Sequence, residues 1–216
     1  MDGIEEHILS LREDFIKGTL TESDVDKVPF AQFQVWIRQA VEAKVNEPQA
    51  MNLATVSPDM KPSARIVYLR EFENNHFWFY TNYASKKAQQ LKQNSFAALT
   101  FFWPELERQI RMEGTVQMAS AAKSDAYYNK RPYESKVGAW ASHQSQLLFS
   151  RAELEENVAE LKNKMSPETI TRPEFWGGFV VKADYYEFWQ GRKSRLHDRI
   201  CYKLKDDDWA ISRIAP

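Results

Sequence analysis

Near its C-terminal end the chain reads EFWQGRKSRLHDR, from Glu187 to Arg199, with four cations and a histidine behind an aromatic pair. Arg195, His197 and Arg199 stand at i, i+2 and i+4, so on an extended strand all three side chains project from one face. Like charges so placed repel unless an anion or an acceptor-rich ligand lies among them. Without a ligand the same run reads as a solvated basic turn. A second cluster lies in FYTNYASKKAQQL, where a strand ends near Thr81 and a helix begins near Ser85. Lys86 and Lys87 fall in the first turn of that helix, where the helix dipole disfavours cations unless an anion shares the site. Free N–H groups, the Ser85 hydroxyl and two ammonium groups would then form a phosphate cradle. No glycine-rich run accompanies them, so the motif is not a P-loop.

A third cluster, YYNKRPYESKVGAWASHQSQ, spaces Tyr127, Arg131 and Ser135 four apart. Pro132 prevents one continuous helix from aligning them, yet hydroxyl, guanidinium and hydroxyl together suit a second phosphate. In RIVYLR, Arg65 and Arg70 have opposite strand parity. They read either as two exposed strand arginines or as contacts to two separate anions. The four histidines are scattered, and neither HExxH nor Cys/His spacing supports a metal. There is no GxSxG elbow and no GxGxxG. Local cationic clusters, many aromatics and no evident nucleophile suit a phosphorylated planar cofactor whose own ring does the chemistry.

Length and composition frame these clusters. The chain has 216 residues and a formal net charge of −1, so any anion site is local and nucleic acid finds no global attraction. One cysteine, Cys201, excludes an intramolecular disulfide and fits a reducing compartment. The acidic start, MDGIEEHILS, lacks the layout of a secretion signal, and the apolar run FAALTFFW is too short to span a bilayer. A cytoplasmic protein without membrane attachment is expected.

The elements that must position the clusters follow from periodicity. Ile4, Ile8, Leu11 and Phe15 have helical spacing, with Gly18 as the C-cap. Pro29 opens a second helix with Phe30, Phe33, Ile37 and Val41 on one stripe. Strands follow at MNLATVS, SARIVYLREF, HFWFYTN, FAALTFFW and ERQIRMEGTVQMAS, with a helix at SKKAQQLKQ. Helices are expected at AAKSDAYYNKR and SRAELEENVAELKNKM, a turn at ESKVGAW, and late strands at GGFVVKADYYEFWQ, RICYKLK and DWAISRI. Strand runs with peripheral helices and no βα alternation predict an α+β fold or a partly open barrel. Residues 1–28 are expected to form an N-terminal helical segment and 29–216 a single domain.

The motifs LREDFIKGTL, PFAQFQVW, SARIVYLR, FYTNYASKKAQQL, ERQIRMEGTV, YYNKRPYESKVGAWASHQS, RPEFWGGFVV, EFWQGRKSRLHDR and the terminal RIAP, in this order, cover almost the whole chain. Together they resemble the pyridoxine (pyridoxamine) 5′-phosphate oxidases. The resemblance implies an α+β split β-barrel that dimerises, with FMN held in clefts formed by both subunits. It implies oxidation of pyridoxamine 5′-phosphate or pyridoxine 5′-phosphate to pyridoxal 5′-phosphate, with dioxygen as acceptor and hydrogen peroxide, plus ammonia from the amine, as products. Matching positions assign FMN to Arg65, Ile66, Val67, Tyr68, Leu69, Arg70, Tyr80, Thr81, Ser85, Lys86, Lys87 and Gln109. Gln144, Ser145, Trp189 and Arg199 would complete that site from the partner. The substrate phosphate falls to Arg70, Tyr127, Arg131 and Ser135, the N-terminal cover to Arg12 and Phe15, and the surroundings of the reacting carbon to the catalytic pair Arg195 and His197.

Three positions depart from the family pattern. Arg70 stands where Lys is common, Lys86 where Arg is frequent, and Phe15 where a Tyr hydroxyl usually lies. Arg for Lys keeps the charge but replaces a point charge with a planar fork. The rival readings are a split-barrel oxidase of the phenazine-pathway type acting on another ring, and a non-catalytic carrier of FMN or pyridoxal phosphate.

Overall fold

The computed structural model describes residues 3–11 and 14–216; Arg12 lies outside the described residues. The chain divides into two compact units, each built from separate stretches of sequence. The first comprises Met1–Pro48, Thr100–Met112 and Tyr185–Pro216, the second Gln49–Leu99 and Glu113–Asp184.

The elements in chain order are α1 (Ile4–Ser10), α2 (Pro29–Glu42), β1 (Ala50–Val56), β2 (Pro62–Tyr68), β3 (Glu71–Glu73), β4 (His76–Asn82), α3 (Lys86–Gln93), β5 (Phe96–Trp103) and β6 (Arg108–Met118). Then come α4 (Ala121–Asn129), α5 (Tyr133–Ala141), α6 (Arg151–Lys164), β7 (Trp176–Gln190), β8 (Asp198–Lys205) and β9 (Asp208–Arg213). The strands follow the order β2-β1-β5-β6-β7-β4-β3, with β8 paired to β7 and β9 to β8. β1 with β2, β3 with β4, β4 with β7, β7 with β8 and β8 with β9 all run antiparallel. This is the α+β class that the strand runs predict. No helix of the described residues is long and apolar enough to cross a membrane.

In the first unit Trp36 packs edge-on to Phe188 at 5.1 Å, Phe33 meets Phe101, and Phe188 meets Tyr202. In the second, Met51, Leu53, Phe77, Phe79, Leu99, Val181 and Val137 are fully or almost fully buried. Pro29 does open α2, but its buried stripe is Phe33, Trp36, Ile37 and Ala40, while Val41 stays exposed. The stripe is turned from the predicted one because Trp36, the largest side chain on the helix, takes the inward position.

The first helix is shorter than its spacing predicts. α1 ends at Ser10, and Ile4, Ile8 and Leu11 are all more than 60% exposed, so no packed face extends it. Gly18 caps nothing and no glycine has a positive φ. A Cβ there would lie 2.9 Å from the Gln190 side chain, so its smallness serves close packing. SARIVYLREF divides into β2 and β3, with the chain turning at Leu69–Arg70, and ESKVGAW lies within the helix α5.

Candidate functional site

In the second unit a cavity of about 1190 Å³ opens beside β2. Ser63, Ala64, Arg65, Ile66, Val67 and Tyr68 all line it, residues of both parities in succession. A strand contributes both parities only where its edge faces the space, and β2 is terminal in the strand order. Its outer backbone N–H and C=O groups are therefore the natural partners for the rim of a flat polar ring.

Six cations line this cavity: Arg65, Arg70, Lys86, Lys87, Lys130 and Arg131, with no carboxylate among the described lining residues. Arg65 and Arg70 do share it despite their opposite parity, because β2 ends at Tyr68 before Arg70 is reached. Arg70 lies with its Cζ 4.9 Å over the Tyr68 ring. Arg65 Nη1 donates to the Leu53 carbonyl and to Thr55 Oγ1, both at 2.8 Å. Lys87 Nζ donates to Gln144 Oε1 at 2.8 Å and to Thr81 Oγ1 at 3.1 Å. Burial, with the nearby charge of Arg65, pulls the Lys87 pKa down to about 8.

Gln144 and Ser145, expected from a partner chain, line the cavity of their own chain, and Thr81 Oγ1 also donates to Gln144. The Ser85 hydroxyl, expected in the phosphate cradle, is fully buried and donates to the Asn82 carbonyl at 2.7 Å. Ser85 supports the turn from behind and is not a lining residue. Leu69 likewise is 5% exposed, a core residue whose N–H donates to the Gln49 carbonyl.

Tyr127, Arg131 and Ser135 meet at the same cavity although α4 ends at Asn129 and α5 begins at Tyr133. The Pro132 break turns the chain so that two short helices present what one long helix could not. Tyr80, Tyr127 and Trp176 form a near-parallel stack, with Tyr80 and Tyr127 centroids 3.7 Å apart. The Tyr80 hydroxyl donates to Glu71, whose carboxylate also pairs with Lys123. Arg131 Nη1 is buried and has no hydrogen-bond partner, a donor left unsatisfied in the protein beside the cavity that Arg131 lines. Trp176, Lys130, Gly138 and Ala139 line the cavity without having been singled out by motif. Trp176 lies one residue before the strand expected at GGFVVKADYYEFWQ, and nothing in its spacing marked it.

The remaining expected residues lie in the first unit. Phe15, Trp189 and His197 form an aromatic cluster, with Trp189 and His197 centroids 4.6 Å apart and Phe15 5.6 Å from each. His197 Nδ1 accepts the Arg192 N–H at 3.1 Å, so the neutral ring carries its proton on Nε2. Burial and the charge of Arg195 lower the His197 pKa, against a smaller opposing effect of Asp198. Arg195 and His197 lie before the strand, not on the extended face their spacing would allow: β8 begins at Asp198, and Ser194 and Arg195 have left-handed φ of 57° and 60°. Two adjacent non-glycine residues in that region store on the order of 1–3 kcal/mol each and mark a fixed turn.

Arg199 does lie on β8, opposite Trp189. Its Nε and Nη2 grip the buried Glu187 carboxylate at 2.9 and 3.0 Å, and Nη1 donates to the Ala215 carbonyl. Gln109, half-buried on β6, completes the set in this unit.

Residues 37–165 match the family model described as pyridoxamine 5′-phosphate oxidase, and residues 176–216 the model of the pyridoxine 5′-phosphate oxidase C-terminal dimerisation region. A pyridoxine/pyridoxamine 5′-phosphate oxidase of Gloeothece citriformis is 49% identical over 214 residues, 99% of this chain and 100% of that one. One of Actinobacillus pleuropneumoniae is 50% identical, over 96% of this chain and 98% of its own. Among solved structures, PhzG of Burkholderia lata in complex with tetrahydrophenazine-1-carboxylic acid superposes with a TM-score of 0.85 at 27% identity, covering 92% of this chain and 98% of its own. An FMN-binding protein of Nostoc punctiforme shares the fold, with a TM-score of 0.70 at 19% identity. With half its residues shared across the full length of such relatives, the chain belongs to the pyridoxamine 5′-phosphate oxidase family.

Proposed function

We propose that the protein is an FMN-dependent oxidase that converts pyridoxamine 5′-phosphate and pyridoxine 5′-phosphate to pyridoxal 5′-phosphate. The observation that carries this reading is the cavity: six cations without a carboxylate, and a buried Arg131 Nη1 that has no partner. A volume of about 1190 Å³ exceeds that of a usual single-ligand pocket, roughly 300–1,000 Å³, and suits two ring compounds with two phosphates. A Cβ on Gly138, at the wall, would meet no protein atom within 4 Å, which leaves room for a ring to approach the backbone.

Arg65, Lys86 and Lys87 are the residues that would hold the flavin phosphate, and the β2 edge would meet the ring. Bound FMN supplies a ring that accepts a hydride and passes its electrons to dioxygen. Arg70, Tyr127, Arg131 and Ser135 bind the substrate phosphate, each charge-assisted contact contributing about 1.5–3 kcal/mol. That binding energy, spent far from the reacting carbon, aligns it. Arg195 and His197, assigned by family resemblance, orient the substrate at C4′. A His197 whose pKa is lowered stays neutral at pH 7 and offers Nε2–H as a donor. The net change consumes dioxygen and, for the amine, water; it yields the aldehyde, hydrogen peroxide and ammonia. A homodimer is in keeping with the dimerisation region at 176–216, and we place the flavin at its interface.

The purified protein should show a flavin absorption spectrum that bleaches on anaerobic addition of pyridoxamine 5′-phosphate and returns with peroxide on admitting air. A flavin that stays oxidised with both B6 phosphates refutes the reading; one bleached by a reduced phenazine carboxylate alone moves the protein to the phenazine type.

A further inference from the structure

Arg131 is an unusual ligand-binding residue because nothing hydrogen-bonded fixes its buried end. Its Nη1 has no partner, and its Cζ sits 4.5 Å from the Trp176 ring centroid and 5.7 Å from that of Tyr128. Burial lowers the Arg131 pKa, the charge of Arg70 adds to that, and the two tyrosines oppose it. A guanidinium so placed is held by ring faces, an interaction that orients its plane while leaving its N–H edge free.

Trp176 itself is rigidly seated. It is 7% exposed, its N–H donates to the Pro173 carbonyl at 3.0 Å, and its carbonyl accepts from Arg172 Nη1 at 2.6 Å. Arg172 in turn pairs with Asp125 on α4, the helix that bears Tyr127. The ring also stacks with Tyr127 at 6.2 Å and 10°, and Tyr80 lies against Gly178, its register partner on β7. A Cβ on Gly178 would come within 2.9 Å of the Tyr80 ring, so WGG is the sequence that lets the stack lie flat.

We propose that Trp176 is the positioning residue of the substrate-phosphate subsite: its ring face holds the Arg131 guanidinium in place at the cavity where the phosphate binds. This rests on the oxidase reading and deepens it, since it names what makes the subsite discriminate phosphorylated from unphosphorylated substrate.

The holoenzyme of Trp176→Leu, Trp176→Phe, Arg131→Ala and the Leu/Ala double variant tests it. The readouts are KM and kcat for pyridoxamine 5′-phosphate, kcat/KM for unphosphorylated pyridoxamine, and competitive inhibition by inorganic phosphate. Trp176→Leu should raise KM for the phosphorylated substrate and Ki for phosphate about tenfold, with kcat nearly kept and kcat/KM for pyridoxamine unchanged. Trp176→Phe should recover part of the loss. In the Arg131→Ala background Trp176→Leu should add nothing. Equal losses on both substrates, or full additivity in the double variant, would reduce Trp176 to a packing role. Should Trp176→Leu not fold, Trp176→Phe and its pairing with Arg131→Ala give the same comparison. If Arg131→Ala leaves phosphate inhibition untouched, the placement of the substrate phosphate itself fails, whatever Trp176 does.

Discussion

Burial and the charge of Arg65 bring Lys87 to about 8, so the free cavity loses one of its cations within an easily reached pH range. A bound phosphate reverses that shift, because an anion favours the protonated amine. Binding therefore takes up a proton near pH 8, and affinity for flavin phosphate falls as pH rises past that value. Below about pH 6 the phosphate loses its second charge, so the expected profile is a plateau between these limits. Titrating apoprotein with FMN by fluorescence quenching from pH 5.5 to 9.5 should show it, and Lys87→Arg should remove the alkaline limb alone. Lys87→Ala should weaken FMN about tenfold to a hundredfold while the denaturation midpoint of the apoprotein holds or rises. Lys87 and Arg131 were legible because local charge stands out in a chain of formal net charge −1. Trp176 was not: it precedes the strand expected at Gly177, and only coordinates reveal that its ring carries a guanidinium.

The turn at Arg192–His197 and the strands it joins show what periodicity conveys and what it leaves out. Alternating β-branched and aromatic residues marked β1, β4, β5 and β6, whose burial largely repeats every two residues, and a β-branched and aromatic run marked β7, whose ends are buried on both faces. The i, i+2, i+4 spacing of Arg195, His197 and Arg199 mimicked a strand, but the left-handed pair Ser194–Arg195 breaks it before β8. α5 hid behind Pro132 and Gly138, residues that ordinarily signal a turn. Nor could spacing find the pairing of Glu187 with Arg199 and Arg111, because the three come together only through the β6–β7–β8 ladder. Glu187 is 1% exposed, and its carboxylate answers two guanidiniums. Replacing it with Gln leaves those charges unmatched, but both arginines retain solvent contact, so the cost is about 2 kcal/mol, below that of a fully buried pair. Urea unfolding should show that drop. If Arg199 meets the flavin ring, Glu187→Gln should also weaken FMN; unchanged affinity would make the pair purely structural.

At the scale of the molecule, a flavin placed at the dimer interface, as proposed, is coupled to dimerisation by mass action. A ligand that touches two chains binds the dimer better than the separated chain, so it must tighten the dimer by the same factor by which dimerisation tightens it. Gln144 and Ser145, expected from the partner, line the cavity of their own chain, and we take them as contacts made within one chain. On this proposal Trp189 and Arg199 would carry the partner's share, and both fall in the matched dimerisation region. The coupling should therefore depend on those two residues and be indifferent to Gln144. Sedimentation of the apoprotein across a range of dilutions should give a weaker dimer than sedimentation with saturating FMN. Trp189→Ala with Arg199→Ala should narrow that difference, whereas Gln144→Ala should weaken FMN at every dilution and leave the difference intact. An FMN affinity independent of protein concentration across the dimer transition would place the flavin wholly within one chain. Dimerisation would then matter for stability and not for the cofactor.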